Sequence, residues 1–423
     1  MLFDSSFQEE LLTLMALDTT TPMEGGAAAD AAAANAAFVD LARRVGMRVL
    51  FEGPGSMRGL ADEQVPLAVS ERLAVQPRFF DAQPHVVLEA GQGGRERTLM
   101  FNFHIDTVGP QLPVRRDAHV LWGRGAVDNK GPGVALLAAL RALHALRPEL
   151  LQRMRVLVQC VAGEEGGAMG VYGTRCLVQA GHTGRLNVFV EPTGGERYFD
   201  RSTCSMTYEV AFAGAGSTDD FPEQGDNATV ALAFVAQHMA HLLAERAAMA
   251  GFKLTVAGLH TGETHNRVFG EGRLLFNLAY GSRAAATAAR EAVESAFDAA
   301  CGAFVAKFGA LQPFARTATR LRQTCRSRWL KVGLPLLYNR DPAMEQLLAA
   351  AGLQRSDSPQ DSFTCDAIWG GIEGAYTIVY GPGLLSANGA HTDSEHVALA
   401  ELEHFTQALL RLMVAFGEHG DGP

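Results

Sequence analysis

The 423-residue chain is short of the features that tie proteins to several common classes. Its six cysteines, Cys160, Cys176, Cys204, Cys301, Cys325 and Cys365, are scattered and include no Cys-x-x-Cys pair. That spacing supplies no disulfide framework and reads as free thiols in a reducing cytoplasm. Basic charge is also scarce. Lys+Arg 36 against Asp+Glu 46 gives a net charge of −10, with no run of five like charges. A mildly acidic surface without basic clusters excludes nucleic acid and anionic membranes as partners. No apolar run reaches membrane length; residues 133–146 come closest, and Arg141 and His144 interrupt them. The start, Met1-Leu2-Phe3-Asp4-Ser5, lacks the basic and apolar regions of a signal peptide.

What is present is an ordinary globular composition, 48% hydrophobic and 19% charged, in a chain long enough for two or three domains. Apolar residues at helical spacing predict helices over 7–17 and, in the Ala-rich stretch, over 27–45. Strands are predicted at 86–88, 99–103, 155–161 and 186–190, with a helix over 134–146 between the second and third. Alternation of strand and helix predicts a parallel sheet. The character changes near Ser202. A strand over 206–212, a long helix opening at Asp226-Asn227-Ala228, strands at 253–256 and 273–279, and a helix over 284–308 suggest an α+β sandwich. The first pattern then resumes, with a helix over 342–351, a strand over 375–380 and a last helix over 399–416. The expected fold class is α/β: a mostly parallel sheet with flanking helices, interrupted by a smaller α+β two-layer domain. Its expected boundaries are 1–201 and 334–423 for the first domain and 202–333 for the insert.

Polar residues gather where the predicted strands end. His104 closes the strand over 99–103, Glu164 and Glu165 follow the one over 155–161, and Glu191 follows the one over 186–190. His391 follows the last strand, and Asp128 stands at a helix start. Open α/β sheets bind ligands beyond the carboxyl ends of their strands. Two imidazoles and several carboxylates at one sheet edge suit zinc, cobalt or manganese. A carboxylate also bridges, so two cations about 3.5–4 Å apart are charge-balanced by such a set.

His104-x-Asp106, Gly123-Arg124-Gly125-x-x-Asp128-Asn129-Lys130-Gly131, Gly163-Glu164-Glu165, Glu191-Pro192 and the late His391 resemble the zinc aminopeptidase and aminoacylase family. That family includes glutamate carboxypeptidase, acetylornithine deacetylase, succinyl-diaminopimelate desuccinylase and the carnosine dipeptidases. The resemblance covers nearly the whole chain and implies a catalytic domain interrupted by a lid that makes the contact in a homodimer. It implies one or two divalent ions (Zn, Mn or Co) per subunit. His104 with Glu191 would hold one ion, His391 with Glu165 the other, and Asp128 both. Glu164 would be the general base, and Asp106 would orient an imidazole ligand. It further implies a cis peptide between Asp128 and Asn129.

The lid departs from the family pattern. Relatives carry a histidine before the lid's first long helix, whereas none lies between Glu209 and Gln237 here. They end a later strand in Asp-x-Arg, where this chain has Asn277-Leu278-Ala279-Tyr280. His260, His265 and Arg267, flanking Asn266, are the candidate replacements in contact with substrate, and Tyr280 is a further candidate if its ring faces the cleft. The first expectation is therefore a metal-dependent hydrolase cleaving an amide or peptide-like C–N bond of a small molecule. An aminohydrolase releasing ammonia from a ureido or aromatic amine, such as a nitroaromatic amine, is the alternative. A non-catalytic binding protein on the same fold is a third reading, and the full ligand set with Glu164 argues against it.

Overall fold

A computed structural model of the protein describes residues 1–26, 29–358 and 362–419. The chain divides into two compact units. The first comprises Met1–Leu60, Val65–Ser202 and Pro335–Pro423, and the second Thr203–Leu334 together with Ala61–Gln64. The short segment Ala61–Gln64 falls inside the stretch that the sequence assigns to the first domain. It joins the second unit through backbone and side-chain bonds, with Val332 N donating to Glu63 O and Gln64 Nε2 to Gly333 O.

The first unit is built on six strands: β1 (Arg48–Gly53), β2 (His85–Gly91), β3 (Thr98–His104), β4 (Arg155–Val161), β5 (Leu186–Phe189) and β6 (Tyr376–Val379). Their spatial order is β1-β2-β4-β3-β5-β6. The four strands from β4 to β6 run parallel, and β2 and β1 are added antiparallel at one edge. Every residue of β3 is buried. A strand covered on both faces reads as a continuous apolar run, which is why Leu99 to Phe103 carries only one polar residue, Asn102. β1 escaped the sequence reading because it is an edge strand, half exposed along its length. Register aligns the strand exits. His104 lies opposite Val161, and Asn102 opposite Phe189, so His104, the 163–165 loop and Glu191 leave the sheet at one edge.

Four helices matter for this edge: α1 (Ser5–Ala16), α2 (Ala31–Arg44), α3 (Lys130–Leu146) and α4 (Leu399–Glu418). The expected start of α2, Ala27 and Ala28, lies outside the described residues; the helix itself begins at Ala31. α3 packs against β3, α1 and α4 and is buried along most of its length. Pro132 sits in its first turn, where a missing N–H costs nothing. Gly133 is needed for close approach, since a Cβ there would stand 2.5 Å from the Phe103 ring. Phe103 in turn meets Phe38 of α2, ring centroids 4.6 Å apart. This packing fixes the α3 N-terminus, and hence Asp128, against the end of β3.

The second unit holds a four-stranded antiparallel sheet in the order Phe252–His260, Glu271–Tyr280, Cys204–Ala213, Cys325–Lys331. The helices Ala228–Ala250 and Arg283–Phe308 pack on each other and on the sheet. Both are capped by side chains: Asn227 accepts from Val230 N, and Ser282 from Ala285 N. A third helix, Gln312–Thr324, and the strand Cys325–Lys331 were not read from the sequence. Among the described residues, no helix is long and apolar enough to cross a membrane. All six cysteines are free.

Candidate metal centre

His104, at the last position of β3, is buried beneath the sheet edge. Its Nε2 lies 2.9 Å from Asp128 Oδ1 and 3.8 Å from Glu191 Oε1. Its Nδ1 lies 2.8 Å from the carbonyl oxygen of Asp106. A carbonyl only accepts, so Nδ1 carries the proton and Nε2 is the nitrogen turned to the carboxylates. Asp128 reaches the other way with Oδ2, 3.2 Å from His391 Nε2, and Glu165 Oε1 is 3.3 Å from the same nitrogen. One carboxylate thus stands between two imidazoles, with Glu191 on the first side and Glu165 on the second. Ligand atoms of His104, Asp128 and Glu165 all lie within 4.8 Å of one another. The peptide between Asp128 and Asn129 is cis.

Asp106 meets both the His104 ring and the loop after β4. Its backbone carbonyl orients the His104 ring, while its carboxylate accepts amides of the 163–165 loop, including Glu165 N at 3.2 Å. Gly163 lets that loop turn sharply: its φ is +87°, and a Cβ would stand 2.3 Å from the Tyr172 ring. Glu164 and Glu165 follow this turn, so one faces the imidazole of His391 while the other remains free of that contact. His391 is itself held in the left-handed region, at φ +63°. Such a conformation is uncommon for a residue with a side chain and clusters at functional sites.

The electrostatics test whether a cation fits. Asp106, Asp128, Glu165 and Glu191 form ion pairs only with His104 and His391 among the described residues. Desolvation pushes the Glu164 and Glu191 carboxyls well above their ordinary range, and neighbouring carboxylates add to it. Hydrogen bonds donated to the carboxylates of Asp128 and Glu165 push His391 up to about 10. Desolvation opposes charge on His104, yet Asp128 raises it well above its ordinary value. The carboxylates around His104 and His391 outnumber the imidazoles that face them. Buried like charges need a counter-charge, and a divalent ion supplies it with the oxygen and nitrogen donors present. The residues fit the metal.

Two participants near the centre were missed in the sequence. Asp366 is buried, accepts from Thr174 Oγ1, and is pushed up to about 7, first by desolvation. Glu395 is buried beneath Asp128. Neither sits just past one of the predicted strands or at a predicted helix start.

The candidate substrate residues all belong to the second unit. His260, His265, Asn266 and Arg267 are exposed, and the Arg267 guanidinium lies over the Phe269 ring, 5.1 Å from its centroid. Tyr280 is a correction. It is 3% exposed, pairs with Cys204 across the sheet and hydrogen-bonds its thiol, so it belongs to the core of that unit. Alternation along the strand turns it inward, with Leu274, Phe276 and Leu278.

Comparison with known proteins gives the chain's relations. The profile of peptidase family M20/M25/M40 matches residues 100–415. A putative [LysW]-lysine/[LysW]-ornithine hydrolase of Aeropyrum pernix is 35% identical over 146 residues, 34% of this chain and 39% of that protein. The chain spans about half or less of the first three such hydrolases it matches, 39%, 52% and 40% of their lengths. The succinyl-diaminopimelate desuccinylase of Halorhodospira halophila is 26% identical over 362 residues, covering 79% of this chain and 88% of the enzyme. In fold, the chain is similar to an M20 family metallo-carboxypeptidase from Sulfolobus solfataricus, with TM-score 0.68, 10% identity, and 98% and 100% of the two chains covered.

Proposed function

Because the chain belongs to peptidase family M20/M25/M40, we propose that it is a metal-dependent hydrolase cleaving an amide or peptide-like C–N bond of a small molecule. The observation that carries this reading is the Asp128 carboxylate set between His104 and His391, with Glu191 and Glu165 on either side. His104 and Glu191 would hold one divalent ion, His391 and Glu165 a second, and Asp128 both; zinc, manganese or cobalt suits the donors. When bound, the metal supplies Lewis acidity and lowers the pKa of water to about 7. Glu164, beside this set and outside it, takes the proton of the attacking water and returns it to the leaving nitrogen. Asp106 holds the loop that carries Glu164 and Glu165. Relatives named as a lysine or ornithine hydrolase and as a desuccinylase support the same bond class.

The second unit bears on substrate and assembly. Among the described residues, its strand Phe252–His260 is paired on one side only and exposes Val256 and Leu259, each 44% exposed. A free apolar edge invites pairing with a second copy, which supports a homodimer formed through this unit. The free thiols support a cytoplasmic setting. The absence of a histidine between Glu209 and Gln237 favours the second reading, an aminohydrolase acting on a ureido or aromatic amine, with His260, His265, Asn266 and Arg267 as its contacts.

The test is a paired assay. Acetylated amino acids and dipeptides are compared with ureido and aromatic amines, following amine and ammonia release, in wild type, His265→Ala and Arg267→Ala. Amine release from acyl or peptide substrates supports the first reading, and ammonia release from the others the second. Turnover of neither class by metal-loaded protein would favour a binding protein.

A further inference from the structure

One buried ion pair beneath the centre has no part in the ligand set. Arg124 Nη1 and Glu395 Oε2 lie 2.7 Å apart, their side chains 1% and 0% exposed. Isolating two charges from water is costly, and such a pair is weak grounds for stability on its own. What distinguishes this one is the second carboxylate oxygen. Glu395 Oε1 accepts the backbone amides of Val127 and Asp128, each at 3.3 Å. The backbone carbonyl of Glu395 accepts Gly123 N at 3.1 Å. The antiparallel pairing of His396 with Trp122 sets this register.

These contacts join two loops. One runs from Arg124 to Asp128, the carboxylate between the imidazoles. The other runs from His391 to Glu395. The ion pair and the amide bonds tie them together, four residues from a ligand-type side chain on each. We infer that Glu395 is a positioning residue: through the amides of Val127 and Asp128 it holds the Asp128 carboxylate at the distance from His391 that a shared metal requires. This rests on the metal reading above. Arg124 occupies the other oxygen of Glu395, Oε2, and its own Nε donates to Pro110 O at 3.3 Å.

A merely structural ion pair and a positioning acceptor predict opposite rankings of two variants. Glu395→Asp keeps the charge beside Arg124 but withdraws the acceptor from the amides by one methylene. The double variant Glu395→Gln with Arg124→Met removes both charges and keeps an acceptor oxygen of unchanged reach. Cobalt(II) affinity of metal-free protein is measured by calorimetry, together with the visible spectrum of the cobalt-loaded form and the unfolding midpoint without metal. The inference expects Glu395→Asp to lose about 10–100-fold in affinity, the usual effect of disturbing a ligand's supporting contacts, with a changed spectrum. It expects the double variant to stay close to wild type in both. The reverse ranking, or equal losses, overturns it. Should one variant fail to fold, the other decides: a wild-type Glu395→Asp, or a double variant weakened more than about tenfold, is fatal to it. Wild type that binds no cobalt would sink the metal reading and this inference together, whereas tight wild-type binding with indifferent variants would sink this inference alone.

Discussion

The Nδ1 atom of His104 lies 2.8 Å from the backbone carbonyl of Asp106 and 3.7 Å from that residue's carboxylate Oδ1. The ring is therefore oriented by main chain, which no substitution at position 106 removes. The carboxylate is left to hold the amides of the 163–165 loop. Asp106→Asn, which keeps an acceptor, should bind zinc nearly as wild type does. Asp106→Ala should lose about 10–100-fold in affinity through the freed loop. Zinc titration of metal-free protein checks this, and wild-type binding by Asp106→Ala would show that the loop does not depend on it.

Glu164 and Glu165 are neighbours with different work. Glu164→Gln should keep the metal and lose roughly 10²–10⁴ in kcat, the usual worth of a general base. Glu165→Gln should instead lower metal content, because its Oε1 stands 3.3 Å from His391 Nε2. Elemental analysis beside steady-state kinetics separates the two. A Glu164→Gln enzyme at wild-type rate would remove Glu164 from the account.

His85, on β2, is buried, and its Nδ1 accepts Ala162 N at 3.1 Å. The folded ring is thus neutral, and burial holds its pKa down at about 4 against an ordinary value of 6.5. Between those values the unfolded chain binds a proton that the folded chain does not. Stability from this group therefore rises with pH from about 4 to 6.5 and is flat beyond. His85→Gln should reduce the difference in unfolding free energy between pH 7 and pH 4.5 by about 2–3 kcal/mol. Urea unfolding at the two pH values is the check, and an unchanged difference would assign the acid sensitivity elsewhere.

Gly133 carries the approach of α3 to β3. Gly133→Ala places a methyl 2.5 Å from the Phe103 ring in a filled core. A loss of about 1–3 kcal/mol, typical of overpacking, is expected in chemical denaturation. No loss would mean that the Phe103–Phe38 ring pair shifts freely.

Much of the first unit was legible because buried parallel strands announce themselves as apolar runs, and polar residues just past them stand out. Phe101, Phe103 and His104 illustrate both signals in one strand. What stayed hidden shares a physical cause. β1 and the strand Cys325–Lys331 are sheet edges: β1 has only the short run Val49-Leu50-Phe51 between Arg48 and Glu52, and the latter strand carries Arg326, Arg328 and Lys331. Glu395 meets Arg124 across 271 positions, and Asp366 meets Thr174 across 192. Such partners are set by the tertiary fold, and no local pattern marks them. Tyr280 failed for a related reason: its place in the family's motif says nothing about which face of the strand it takes.

The central claim is that His104, Asp128, Glu165, Glu191 and His391 hold the metal on which hydrolysis depends. The most direct measurement follows amide hydrolysis while metal content is determined on the same samples. Chelated protein should be inactive, and zinc, manganese or cobalt should restore the rate as one to two ions bind per chain. Full activity in protein shown to be metal-free by elemental analysis would contradict it.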